Sequence, residues 1–138
     1  MGPRVLPAEA ELEPRTFGPV TITDLVRFAG ASGDFTSTHH DEGYARAAGF
    51  PTVFAMGMYQ ASVLATYASE QLGTCRVRRF AVRFREKVWP GDLVTCSGRV
   101  TNVEDGTGGW QRIVLELQCR ADSVLVLDGI GEFEKGHS

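Results

Sequence analysis

The chain has little of what marks several large classes of protein. Its cysteines, Cys75, Cys96 and Cys119, are three in number, lie far apart and include no Cys-x-x-Cys pair, so neither a disulfide framework nor a zinc knuckle is expected. Reduced, mostly buried thiols in a cytoplasmic protein are the simplest account. No apolar run approaches the roughly 20 residues that span a bilayer. The N-terminus lacks a signal-peptide core. Positive charge is not in surplus: 14 Lys+Arg against 17 Asp+Glu give a formal net charge of -3, whereas a nucleic-acid groove needs a basic surface. No internal repeat and no low-complexity segment interrupts the chain. Nucleic acid and membrane are therefore not expected as partners.

What remains is ordinary globular composition, 43% hydrophobic and 22% charged over 138 residues. That is one domain, large enough to bury a core without staples. Arg76, Arg78, Arg79, Arg83, Arg85 and Lys87 form a local basic run. Its plain reading is the solvated face of a strand. The sharper one is a site for an anionic group such as a coenzyme phosphate, which Arg contacts in bidentate fashion.

Residues 1–14 mix prolines with acids and suit a frayed, flexible arm or an edge extension. A short strand is expected from residue 15, broken by Gly18-Pro19 as an edge position allows. Thr21 or Thr23 can then cap a short helix with Leu25, Phe28 and Ala29 on one face and Gly30 near its end. Residues 33–41 read as loop. Asp41 is placed to cap a second short helix that stops at Gly49. From Phe54 the apolar and small residues fall at helical spacing, giving a helix over 55–72. It carries no charge between Met56 and Ser69 and so is expected to be buried on most sides. Four strands follow, over 76–88, 93–104, 110–121 and 124–133, joined by Pro90-Gly91-Asp92, a glycine-rich loop at 105–109 and Asp122-Ser123. In the last strand the inward face is either Leu125, Leu127 and Phe133 or Val124, Val126 and Ile130. The element order makes an α+β domain over 15–134, one sheet curled around a central helix, with 135–138 as a tail.

The densest chemistry lies in Gly33-Asp34-Phe35-Thr36-Ser37-Thr38-His39-His40-Asp41. Asp34 and His39 stand five apart, so a turn can bring a carboxylate and an imidazole to one point as a general acid/base pair. Burial beneath a helix is expected to raise the carboxyl's pKa. His40 is the near rival of His39, and one step along an extended loop it points the other way. Gly57 stands at the start of the buried helix, where unpaired N–H groups and the helix dipole can hold a developing oxyanion. The same glycine can instead serve only close helix–sheet packing.

These residues carry a resemblance. Asp34 to Asp41, then Tyr44-Ala45-Arg46-Ala47-Ala48-Gly49-Phe50-Pro51-Thr52-Val53-Phe54-Ala55-Met56-Gly57-Met58, is similar to the hydratase signature of the MaoC-like, hotdog-fold (R)-specific enoyl-CoA hydratases and 3-hydroxyacyl-thioester dehydratases. Val82-Arg83-Phe84-Arg85-Glu86-Lys87-Val88-Trp89-Pro90-Gly91-Asp92 resembles the family's strand and turn after the helix. The resemblance spans roughly 15–133 and implies a hotdog fold. Aligning the family's Gly-Asp-x-Asn-Pro-(Ile/Leu)-His-x-Asp motif puts the catalytic acid at Asp34 and the catalytic histidine at His39. It puts Asp41 at the last acid, a cap, and Gly57 at the glycine whose N–H polarises the thioester carbonyl. Thr36 and Ser37 replace the motif's Asn-Pro, and Met56 departs from the residues usual before Gly-Met. The serine that some members carry later in the helix would fall near Ala65, leaving Ser62 as its substitute. Thr36, Ser37, Met56, Met58, Ser62 and Arg83 are accordingly the expected substrate-binding positions.

The implied reaction adds water across a trans-2-enoyl thioester of coenzyme A or acyl carrier protein, or removes it from the 3-hydroxyacyl thioester, and needs no metal or other cofactor. A hotdog acyl-CoA thioesterase is the alternative. Many of those place a carboxylate on or just before the central helix, which is uncharged here. A metal site from His39, His40 and Asp41 is disfavoured because adjacent histidines seldom converge on one ion. The implied assembly is a homodimer or a heteromer with another hotdog chain. The His39-His40-Asp41 run without Asn-Pro is similar to the small subunits of heteromeric steroid side-chain enoyl-CoA hydratases.

Overall fold

A computed structural model describes residues 7–136. Its strands are β1 (Arg15–Phe17), β2 (Arg76–Phe84), β3 (Val94–Asp105), β4 (Trp110–Ala121) and β5 (Val124–Gly136), and its helices α1 (Ile22–Ser32), α2 (Glu42–Ala47) and α3 (Gly57–Leu72). The strands form one antiparallel sheet in the order β1-β3-β4-β5-β2. Helix α3 lies across it, in contact with β2, β3, β4 and β5. This is the hotdog fold, a curled sheet around a central helix. No helix among the described residues is long and apolar enough to cross a membrane.

Period-2 patterning explains the sheet. In β4, Ile113, Leu115, Leu117 and Cys119 are buried, while Arg112, Glu116 and Arg120 between them are exposed. The β4–β5 register sets Ile113 opposite Phe133 and Cys119 opposite Leu127. Leu127 and Phe133 of β5 are therefore inward and Ile130 lies on the exposed side, but Val126 of the other expected face is also buried, because the register shifts between Cys119 and Arg120. Leu64, Tyr67, Ala68 and Leu72 of α3 meet this layer fully buried. Each fully buried leucine contributes roughly 2–3 kcal/mol of transfer free energy.

Several expectations change. Helix α3 keeps Met58, Ser62, Thr66 and Ser69 exposed along one face, because a single sheet covers only one side of a helix. Residues 9–12 are an edge extension rather than a flexible arm: Glu9 and Leu12 donate backbone N–H groups to Val100 and Gly98 at 2.9 and 2.8 Å. The Tyr67 hydroxyl donates to the Glu13 carbonyl at 2.8 Å, and burial pushes its pKa up to about 12. Residues 1–6 lie outside the described residues, as do 137–138 of the expected tail, whereas β5 continues through Gly136. Strand β2 ends at Phe84, four residues short of the expected end at Val88. Cys96 and Cys119, distant in sequence, face each other across β3 and β4 as free thiols with their sulfurs 3.2 Å apart. Their mutual hydrogen bond and burial push the Cys119 thiol up.

Candidate active site

Helix α1 delivers the acidic residue. Thr21 caps it in a full capping box with Asp24, satisfying two otherwise orphaned donors. Leu25 and Ala29 are buried, and the Phe28 ring meets Tyr59 of α3 edge-on at 5.7 Å. The helix runs past Gly30 to Ser32 and ends on Gly33, whose φ of 77° suits glycine. Asp34 is the next residue, so its position is tied to the end of an anchored helix.

The segment read as loop contains a single 3-10 turn, Ser37–His39, closed by the His39 N–H on the Thr36 carbonyl at 3.0 Å. This turn, not an extended loop, separates the two histidines. His39 points inward and is only 9% exposed, its ring edge-on to Phe54 at 5.1 Å. His40 turns outward and donates Nε2–H to the Phe35 carbonyl at 3.1 Å, bracing the loop. With the histidines divergent, they cannot close on one ion. Among the described residues no three His, Cys, Asp or Glu side chains gather as metal ligands. Asp41 accepts from the Tyr44 N–H at 3.0 Å and caps α2.

His39 Nδ1 lies 2.8 Å from the Phe54 carbonyl oxygen. A carbonyl only accepts, so Nδ1 carries hydrogen and Nε2 is the nitrogen free to gain or lose a proton. Nε2 faces Asp34 Oδ2 at 3.8 Å. That is too long for a direct hydrogen bond and short enough for one oxygen atom to reach both. Asp34 Oδ1 accepts from the Thr36 hydroxyl at 2.8 Å and from the Thr36 N–H at 3.3 Å. The Thr36 hydroxyl, then its N–H and the nearby His39 charge, hold the carboxyl below its ordinary value of 3.8. The expected upward shift is reversed because the Asp34 side chain stays 40% exposed, so hydrogen bonds to the ionised form outweigh desolvation.

Phe54, whose carbonyl orients His39, stands three residues before Gly57, the first residue of α3. Ala55 between them is fixed by its N–H on the Val88 carbonyl at 2.9 Å. Met56 is the N-cap residue, and no side chain caps the helix. A Cβ at Gly57 would lie 2.9 Å from the Phe84 ring. Both readings of this glycine thus have a physical basis, open donors at a helix N-terminus and close approach to β2.

The remaining expected positions divide. Thr36 and Ser37 lie in the turn itself, with the Ser37 carbonyl accepting from His40 and Asp41. Met58 and Ser62 lie on the exposed face of α3. Met56 is buried. Arg83 is not brought to the site. Alternation along β2 sends Phe84 to the Gly57 side and Arg83 to the outer face, opposite Asp128, where with Arg79, Arg99 and Gln118 it lines a groove of about 610 Å³. Most of the basic run reads as a solvated strand face: Arg78 pairs with Glu134 at 3.1 Å and Arg85 with Asp128 at 3.0 Å.

Three neighbours of the site escaped sequence reasoning. Phe54 serves through its backbone, which no side-chain pattern reveals. Lys87, counted with the basic run, lies over the Phe50 and Phe54 rings at 5.4 and 5.3 Å. Buried Gln60 donates to the Glu86 carbonyl at 3.2 Å, while its Oε1 has no partner among the described residues.

The MaoC like domain profile matches residues 6–117. The chain belongs to the MaoC-like domain family. MaoC-like hotdogs are also its structural neighbours. The crystal structure of the ChsH1–ChsH2 complex from Mycobacterium tuberculosis matches with a TM-score of 0.82 at 24% identity, covering 94% of this chain and 98% of that one. The (R)-hydratase PhaJ1 from Pseudomonas aeruginosa gives 0.80 at 21% identity, with 96% and 84% covered. The C-terminally truncated HadBC (3R-hydroxyacyl-ACP dehydratase) complex from Mycobacterium tuberculosis gives 0.74 at 18%, with 93% and 96% covered. A search of curated proteins found no match. Membership of this family supports hydratase or dehydratase chemistry in general.

Proposed function

We propose that this MaoC-like chain hydrates trans-2-enoyl thioesters, or in reverse dehydrates 3-hydroxyacyl thioesters, with Asp34, His39 and Gly57 as its catalytic groups. The observation that carries the reading is the pairing of Asp34 Oδ2 with His39 Nε2 at 3.8 Å, the imidazole fixed through Nδ1 on Phe54. Between these atoms one water can donate to both, leaving a lone pair for Cβ of the substrate. The N–H of Gly57 then meets the thioester oxygen as it becomes enolate-like. Proton removal, C–O bond formation and protonation of Cα return the pair to its starting state, so no redox or metal step is required. Met58, Ser62 and the half-exposed Phe84 ring lie on the Gly57 side and Ser37 lies in the turn beside Asp34, which makes them the contacts for the acyl thioester.

The test is crotonyl-CoA. Loss of enoyl absorbance without thiol release identifies the hydratase, and thiol release would identify the thioesterase instead. Asp34→Asn should lower kcat by about 10²–10⁴. A variant retaining full activity removes Asp34 from the reaction.

A second hotdog chain completes this reading, either another copy or a different subunit. Strand β2 ends the sheet, so that among the described residues no strand pairs with its outer edge. The face of α3 that carries Met58 and Ser62 is open in the single chain. Two of the structural neighbours are complexes of named pairs. The carrier, coenzyme A or acyl carrier protein, is set by surfaces that a partner would share.

A further inference from the structure

The two oxygens of the Asp34 carboxylate are not equivalent. Oδ1 is occupied twice by Thr36, through its hydroxyl at 2.8 Å and its N–H at 3.3 Å. Oδ2 is the oxygen that faces His39 Nε2. Thr36 itself is exposed and gives its hydroxyl proton to Asp34 rather than presenting it to a ligand. A carboxylate whose one oxygen accepts two hydrogen bonds is both oriented and less inclined to take a proton. Imidazole is already the stronger base of the two side-chain types by about 2–3 pH units, and the Thr36 contacts widen that gap from the acid's side. His39 and Thr36 are the groups whose charge or hydrogen bonds act on this carboxyl.

Resting on the hydratase reading, we propose that Thr36 is a positioning residue: it clamps Oδ1 of Asp34, reserves Oδ2 to aim the water, and so leaves His39 Nε2 as the group that takes the water's proton. As the C–O bond forms at Cβ, the water's O–H bond breaks and its proton moves to Nε2. The π electrons of the alkene pass towards the thioester oxygen held at Gly57. Nε2–H then returns a proton to Cα, and the sum is one water added across the double bond. Thr36 is thus not a substrate contact. The residue that departs from the family motif sets the division of labour inside the acid/base pair.

Thr36→Val keeps the side chain's shape and removes the hydroxyl, and Thr36→Ser restores the hydroxyl. Carbon-13 NMR of the Asp34 side-chain carboxyl, titrated in the full chain, reads the clamp without any substrate. The Asp34 midpoint should lie below 3.8, rise in Thr36→Val and return in Thr36→Ser. With crotonyl-CoA, Thr36→Val should lower kcat by about tenfold with KM within about twofold, and Thr36→Ser should recover most of the loss. An unmoved Asp34 midpoint in Thr36→Val overturns the proposal. So does a change confined to KM, which is the mark of a substrate contact. A wild-type chain that is paired with a second hotdog chain and still leaves crotonyl-CoA unhydrated overturns the hydratase reading alone, since the titration still decides whether Thr36 holds Oδ1.

Discussion

At the scale of single residues, the site is set more by backbone than by side-chain identity. His39 owes its tautomer to the Phe54 carbonyl, and Gly57 owes its value to what it lacks. Gly57→Ala separates the two readings of that glycine. Its helical position accepts alanine, and the new methyl meets the Phe84 ring, which is 51% exposed and free to yield. Stability measured in urea should change by less than about 1 kcal/mol, since surface-side changes of this kind are small. The methyl nevertheless stands beside the N–H that an oxyanion would approach. A fall of about tenfold or more in kcat/KM with crotonyl-CoA is expected. If activity holds and stability falls instead, Gly57 serves packing.

At the scale of elements, α1 shows how a helix end can bear on the loop proposed as catalytic. Thr21 and Asp24 cap its start, and Gly33 closes its end one residue before Asp34. Thr21→Ala should cost about 1 kcal/mol in urea unfolding. Frayed backbone at residues 20–25 should appear as faster amide hydrogen exchange there, and unchanged exchange would mean that tertiary contacts alone hold the helix. The cap at Asp41, helix α3 and strand β4 were legible because each rests on local chemistry or a strict period, and Thr21 was one of two candidate caps for α1. The 3-10 turn at 37–39 was not legible, since three residues carry no period and the fold of His39 onto Phe54 depends on a contact across 15 residues. The end of α1 was legible too: Gly30 lies near it, and the segment read as loop begins at Gly33, the C-cap. The direction of the Asp34 shift failed for a reason related to the one that hid the turn. Exposure and the Thr36 hydrogen bonds are properties of the folded turn, not of the spacing between Asp34 and His39.

At the scale of the whole molecule, the single chain is an unfinished enclosure. The sheet covers one side of α3, and on the other Met58 is 59% exposed beside the site. Strand β2 ends the sheet with Val77 58% exposed and Phe84 half-exposed. A protein spends exposed apolar side chains on an open edge sparingly, because such an edge pairs with whatever strand it meets. Pairing of β2 with a second hotdog chain would cover that edge and bring a partner's surface towards Gly57 and Asp34. Light scattering should therefore give twice the 15.0 kDa chain mass if the partner is a second copy. Val77→Lys, which places a charge on the edge and away in sequence from the proposed catalytic groups, should shift that mass towards the single chain and lower hydration activity along with it. A wild-type chain that runs as an inactive monomer points to a different hotdog subunit, and activity should then appear on co-expression with it. A monomer with full hydratase activity at every concentration would show that one chain encloses the substrate alone.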